Sequence, residues 1–184
     1  MARRMNGQDK GLIEYHGTPM VNGISNALEN QCKNIMINAN RNIERYKALG
    51  FDVFSDELKD YQGPLSGMYT ALEKLKTNWL VTVPCDGPFI DAHYVHRMCQ
   101  AVAQDRRQLA VASFDNRLQP VYALIHKDLR PSLGAFLETG ERKIDRWYRQ
   151  HSFSVVHFND SQKMFININT PEQLTDVETK YSKE

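Results

Sequence analysis

Short apolar runs rich in β-branched residues, each followed by an amphipathic stretch, recur along the first half of this chain and constrain its fold more than any other feature. Asn34-Ile35-Met36-Ile37, Phe51-Asp52-Val53-Phe54 and Trp79-Leu80-Val81-Thr82-Val83 read as buried strands bounded by turn signals. Residues 19–29 read as a helix with Met20, Ile24, Ala27 and Leu28 near one face, and 41–49, 65–76 and 91–104 read as further helices. Strand and helix alternating at this spacing require crossover connections and a mostly parallel sheet. The second half changes character. Strands over 108–114 and 120–126, separated by the polar turn Asp115-Asn116-Arg117, predict a hairpin. Helices near 129–138 and 142–150 follow, then strands over 153–158 and 165–168. A last helix opens at Thr170-Pro171-Glu172, with Thr as N-cap and Pro in the first turn. The expected class is α/β: a mostly parallel, Rossmann-like sheet with flanking helices and an added antiparallel portion, in a single domain over 1–184.

Composition narrows the functions. The chain has 184 residues, of which 41% are hydrophobic, enough for one sizeable core. Its formal net charge is +1, which argues against a polyanion-binding surface, so no nucleic-acid partner is expected and any anion must be held locally. Cys32, Cys85 and Cys99 show neither metal-type nor redox-type spacing, as a reducing cytosol permits. There is no secretory leader pattern, and no apolar run approaches the roughly 20 residues that span a bilayer. A cytoplasmic protein without a membrane partner is expected.

In open parallel sheets ligands gather at the carboxyl ends of the strands, so the polar residues just after each strand are the candidates. Asn38-Ala39-Asn40-Arg41 follows the first visible strand, Asp56 the second, and Pro84-Cys85-Asp86-Gly87-Pro88 the third. Asp86, a lone carboxylate between two prolines, suits a hard divalent cation, because Mg²⁺ takes one or two carboxylates and leaves its other positions to phosphate and water; a turn aspartate would look the same. Asp56 reads equally well as a helix cap. Lys10, between Asp9 and Gly11, can act as a point charge on a phosphate or sit in a surface turn. Arg3 and Arg4 are either a solvated terminus or stabilisers of charge on a transferring phosphoryl group. Gly63-Pro64-Leu65-Ser66-Gly67 opens a helix whose N-terminus offers unpaired N–H groups. Asn167 and Asn169 alternate with Ile166 and Ile168, so their amides share one face. His93 and His96 have metal-like spacing without a third ligand and read as surface residues. Cys85 lacks a partnered histidine and reads as packing, not as a nucleophile.

In series, Arg4-Met5-x-Gly7-x-Asp9-Lys10, Asn38-Ala39-Asn40-Arg41, Asp56, Gly63-Pro64-Leu65-x-Gly67-Met68, Pro84-Cys85-Asp86-x-Pro88-Phe89 and Asn167-x-Asn169-Thr170-Pro171-Glu172-x-Leu174 form an order that resembles the bacterial molybdenum cofactor guanylyltransferases. These belong to the sugar-nucleotide-transferase-like α/β superfamily. The resemblance implies transfer of GMP from GTP to the terminal phosphate of molybdopterin, giving the guanine dinucleotide cofactor and pyrophosphate. It implies Lys10, Asn38, Asp56, Gly67 and Asp86 as nucleotide-binding residues, with Asp86 also holding Mg²⁺. Arg4, Lys10 and Asp86 would be catalytic, and Asn167 and Asn169 would face the pterin side. The implied partners are GTP, molybdopterin and proteins of cofactor delivery or molybdoenzyme maturation. Guanine preference comes from the resemblance alone, and two alternatives stay open: a CTP-using or sugar-phosphate nucleotidyltransferase of the same fold, or a cofactor-binding homologue that no longer transfers. The family's first strand and its Leu-Ala-Gly-Gly segment have no counterpart before Ala2. That departure leads to the expectation of a truncated gene product or a misassigned start, which equal solubility and GTP affinity of an upstream-extended version would sink.

Overall fold

The computed structural model describes residues 9–58 and 63–182. A single 3-10 turn, Lys10–Leu12, leads into the two-residue strands β1 (Glu14–Tyr15) and β2 (Thr18–Pro19), an antiparallel pair turned by His16 and Gly17, both at positive φ. Strands this short carry no readable period, and the sequence pattern does not foresee them; the His-Gly dipeptide is their one local signal. Helix α1 (Met20–Glu29) buries Met20, Val21, Ile24, Ser25 and Leu28, one continuous stripe at helical spacing.

Strand β3 (Met36–Asn38) pairs in parallel with β4 (Asp52–Phe54), Met36 opposite Asp52 and Asn38 opposite Phe54, with helix α2 (Ile43–Ala48) between them in sequence. Helix α3 (Pro64–Lys74) starts from Gly63, whose φ of 133° only glycine adopts readily, and carries proline in its first turn. Strand β5 (Trp79–Thr82), helix α4 (Tyr94–Asp105), strands β6 (Leu109–Phe114) and β7 (Arg117–His126), helices α5 (Arg130–Glu138) and α6 (Ile144–Tyr148), strand β8 (Ser154–His157) and helix α7 (Pro171–Lys180) complete the described chain. The β6–β7 turn is Asp115-Asn116, both residues at positive φ as a tight hairpin demands; Arg117, expected in the turn, already belongs to β7.

The main sheet runs β5-β7-β6-β8. β7 is antiparallel to both its neighbours, whereas β6 and β8 are parallel. The α/β layering with an antiparallel portion is thus present, and β7 makes that portion central. Period-two alternation splits the core between the two faces. Leu109, Val111, Ala123 and Ile125 pack with Leu65, Met68 and Leu72 of α3, Leu133 and Phe136 of α5, and Trp147 and Tyr148 of α6. Ala110, Ala112, Tyr122 and Leu124 face Ile24 and Leu28 of α1 and Tyr94, Met98 and Val102 of α4. Among the described residues the β3–β4 pair is not hydrogen-bonded to this sheet. A groove of about 560 Å³ lies between, walled by β3, β5, α1 and α3.

The strand expected over 165–168 is absent. A 3-10 turn, Gln162–Phe165, ends there, and the extended residues after it pair with a loop: Ile168 N–H donates to the Asp86 carbonyl at 2.6 Å. Helix α7 begins as its sequence requires, with the Thr170 hydroxyl accepting from Gln173 N–H.

Candidate active site

Two polar clusters form on the carboxyl rim of the strands. The first is built around Asp86, four residues beyond β5. Lys10 Nζ donates to Asp86 Oδ2 at 3.0 Å and also to Asn169 Oδ1. Both side chains of the ion pair are about a quarter exposed, at 29% and 22%. Pairs so open to water contribute roughly 0–1 kcal/mol, so stability does not account for placing a lysine here. The Ile168–Asp86 backbone bond holds the 166–169 segment against this loop, and a Cβ at Gly87 would overlap the Ile166 carbonyl and lie 3.6 Å from Asn167 Oδ1. Asn169 thus reaches Lys10, and Asn167 lies beside Gly87, without a strand to impose either position.

The second cluster joins the ends of β3 and β4. Asp56 accepts from Asn38 Nδ2 at 2.8 Å and from Asn40 Nδ2 at 2.9 Å, while Asp56 N–H donates to Asn40 Oδ1. The Asp56 carboxylate thus accepts from two side-chain amides, and among the described residues it caps no helix. Gly67, in the first turns of α3, lies against Asn38 Oδ1, and a Cβ there would overlap it. Asn38 and Gly67 of this cluster line the groove, as do Pro84 and Cys85, the two residues before Asp86.

Of the residues singled out by sequence, Lys10, Asp86, Asn167 and Asn169 come together on one side, and Asn38, Asp56 and Gly67 on the other. Arg4 lies outside the described residues. Asn40 joins the Asp56 cluster as well; its signal is the Asn-x-Asn spacing, which puts both amides toward Asp56. Asp9, read only as a neighbour of Lys10, accepts from Tyr46 Oη, Arg41 Nε and Asn42 Nδ2. His93 and His96 are exposed on α4 and its N-cap, and among the described residues no group of three His, Cys, Asp or Glu could hold a metal. Cys85 is exposed on the groove wall, not packed in the core. Its concave surroundings still desolvate the thiol, and with Asp86 and Asp9 nearby its pKa is pushed up to about 11. The protonated thiol is a poor nucleophile at neutral pH.

A lysine, a carboxylate and nearby amides on the carboxyl rim of an α/β sheet are groups with which such folds can hold an anion. Residues 1–155 match the MobA-like NTP transferase domain, and the chain belongs to that family. A relative from Shewanella sediminis named molybdenum cofactor guanylyltransferase is 47% identical over 94% of this chain and 88% of its own length. Among solved structures, molybdopterin-guanine dinucleotide biosynthesis protein A from Archaeoglobus fulgidus is similar with a TM-score of 0.82 at 18% identity, over 100% of this chain and 95% of that one. The 2-C-methyl-D-erythritol 4-phosphate cytidylyltransferase from Thermus thermophilus is similar with a TM-score of 0.71 at 14% identity, over 95% and 94%. At these identities the solved structures speak for the fold.

Proposed function

We propose that this chain transfers GMP from GTP to the terminal phosphate of molybdopterin, releasing pyrophosphate. The observation that carries the reading is the Lys10–Asp86 pair, held between amides on the rim of a fold shared with nucleotidyltransferases. Lys10, Asn38, Asp56, Gly67 and Asp86 form the nucleotide side of the site, and Asn167 and Asn169 the side of the accepting phosphate. Lys10, Asp86 and Arg4 carry the chemistry.

Among the described residues Asp86 is the carboxylate of the Lys10 cluster, and a lone carboxylate fits Mg²⁺, which takes few protein ligands. Asp86 would hold the cation, whose positive charge offsets repulsion among the phosphate oxygens. When the triphosphate arrives, Lys10 Nζ turns its donors from Asp86 and Asn169 to phosphate oxygens. Asn38, tied to Asp56 and pressed on Gly67, then orients the nucleoside end. The accepting phosphate oxygen attacks the α-phosphorus in line, and the protein contributes placement and charge, with no covalent enzyme intermediate. No helix among the described residues is long and apolar enough to cross a membrane, and a cytoplasmic site of action suits the substrates.

The likeness to a cytidylyltransferase supports a second reading with CTP as donor. Incubation with Mg²⁺, molybdopterin and either GTP or CTP distinguishes them. Pyrophosphate and a guanine dinucleotide product with GTP alone are expected. Turnover with CTP alone would establish the second reading, and turnover with neither would overturn both.

A further inference from the structure

Asp9 and Lys10 are consecutive, yet their side chains reach in different directions. Lys10 goes to Asp86 and Asn169 on the β5 side. Asp9 goes to the start of α2, where its carboxylate accepts from Tyr46 Oη at 2.8 Å and from Arg41 Nε and Asn42 Nδ2 at 3.3 Å each. The Asp9 side chain is 13% exposed and Tyr46 is 3% exposed. Burial, and then the bond to Asp9, raises the Tyr46 pKa, so its hydroxyl remains a donor throughout the ordinary pH range. A donor paired with a largely buried carboxylate makes a charge-assisted bond, stronger than one between neutral groups.

Around this bond the backbone has one narrow passage. A Cβ on Gly11 would lie 2.7 Å from Tyr46 Oη, so a side chain there would displace that hydroxyl, while its 3.5 Å approach to Cys85 Cβ would be an ordinary contact. Leu12 N–H donates to the Asp9 carbonyl and Ile13 N–H to the Lys10 carbonyl, closing the turn that carries Lys10.

We propose that Asp9, held by Tyr46, is a positioning residue that fixes the Lys10 turn against α2, so that the ammonium is placed for phosphate before nucleotide binds. Tyr46 and Asp9 act through Lys10 and do not touch the reacting groups. The inference rests on the reading of Lys10 as a phosphate ligand given above.

The test compares Tyr46→Phe and Asp9→Asn in the full chain, each alone and combined with Lys10→Ala. With Lys10 present, Tyr46→Phe should lower GTP affinity and kcat/KM about tenfold, the loss expected for a hydrogen bond to a charged group. In the Lys10→Ala background the same change should cost less than about twofold, because coupled residues are non-additive. Amide exchange at Leu12 and Ile13 should quicken in Tyr46→Phe while β6 and β7 remain protected. Equal losses in both backgrounds, or unchanged exchange at Leu12 and Ile13, would overturn the proposal. If Lys10→Ala alone leaves GTP affinity intact, the reading of Lys10 fails, and that single variant shows it separately from any result at Tyr46.

Discussion

The β5-β7-β6-β8 sheet and the β3–β4 pair use strands in opposite ways. Leu109, Ala110, Val111 and Ala112 of β6 are all 0% exposed, packed by helices on both faces. Of β3, Met36 and Ile37 are only half-buried and Asn38 is exposed, and the pair borders the groove. Apolar burial at about 25 cal/mol per Å² therefore concentrates stability in the four-stranded sheet, while the polar rim is organised by hydrogen bonds that contribute little net. The division implies that fold and function can be damaged separately.

The largest expected effect breaks the scaffold. Trp147 is 0% exposed among Leu133, Tyr148 and the sheet, and its Nε1 donates to Ser132 Oγ. Trp147→Ala should cost about 3–5 kcal/mol, measured by urea unfolding, against a total of about 5–15 kcal/mol for a typical domain. A loss below about 1 kcal/mol would mean that this side of the sheet is not the stabilising one.

Next comes the rim. Asp86→Ala should lower turnover about 10²–10³-fold, the scale seen when one charge-stabilising group is removed, with only a small shift in the unfolding midpoint. The Lys10–Asp86 pair is too exposed for its loss to matter much to folding. Retained activity would refute Asp86 as cation holder, and global unfolding would refute the division between scaffold and rim.

A smaller effect reads the electrostatics of the groove. With its thiol pushed up to about 11, first by desolvation and then by Asp86 and Asp9, Cys85 should resist iodoacetamide near pH 8 and react progressively faster as pH approaches 11. Linkage has a definite sign here. The folded protein holds this proton more tightly than the unfolded chain, whose thiol titrates near its ordinary value, so the contribution is intact below that value and lost as pH rises toward 11. Mass spectrometry of alkylation against pH checks it; fast labelling of Cys85 at pH 7 contradicts the assignment.

The contrast between the regions also explains what could be read from the sequence. β6 and β7 are long, apolar and joined by Asp115-Asn116, so local pattern and final pairing agree. The 166–169 segment has the same alternation, but its N–H partner is the Asp86 carbonyl, 82 positions away from Ile168 in sequence and invisible to any local period. The carboxyl-end rule points to Asn38, Asp56 and Asp86 because it depends on strand ends alone. It misses Asp9 because the donors that give that residue its place, Arg41, Asn42 and Tyr46, are brought beside it only by the tertiary fold.

Thr170 sits on the boundary between the two regions and offers the finest test. Its hydroxyl caps α7 through Gln173 N–H, and the preceding residue, Asn169, accepts from Lys10. Asn169 N–H is held separately by Gln173 Oε1 at 2.8 Å, so the rim has a second tie to the same helix end. Thr170→Ala should therefore cost about 1 kcal/mol of stability, the usual value of an N-cap, while GTP affinity changes less than about twofold. Thr170→Ser should restore the stability, since serine supplies the same acceptor. A large loss of GTP affinity in Thr170→Ala with stability unchanged would mean that α7 belongs to the rim, and that the boundary lies one helix further into the scaffold.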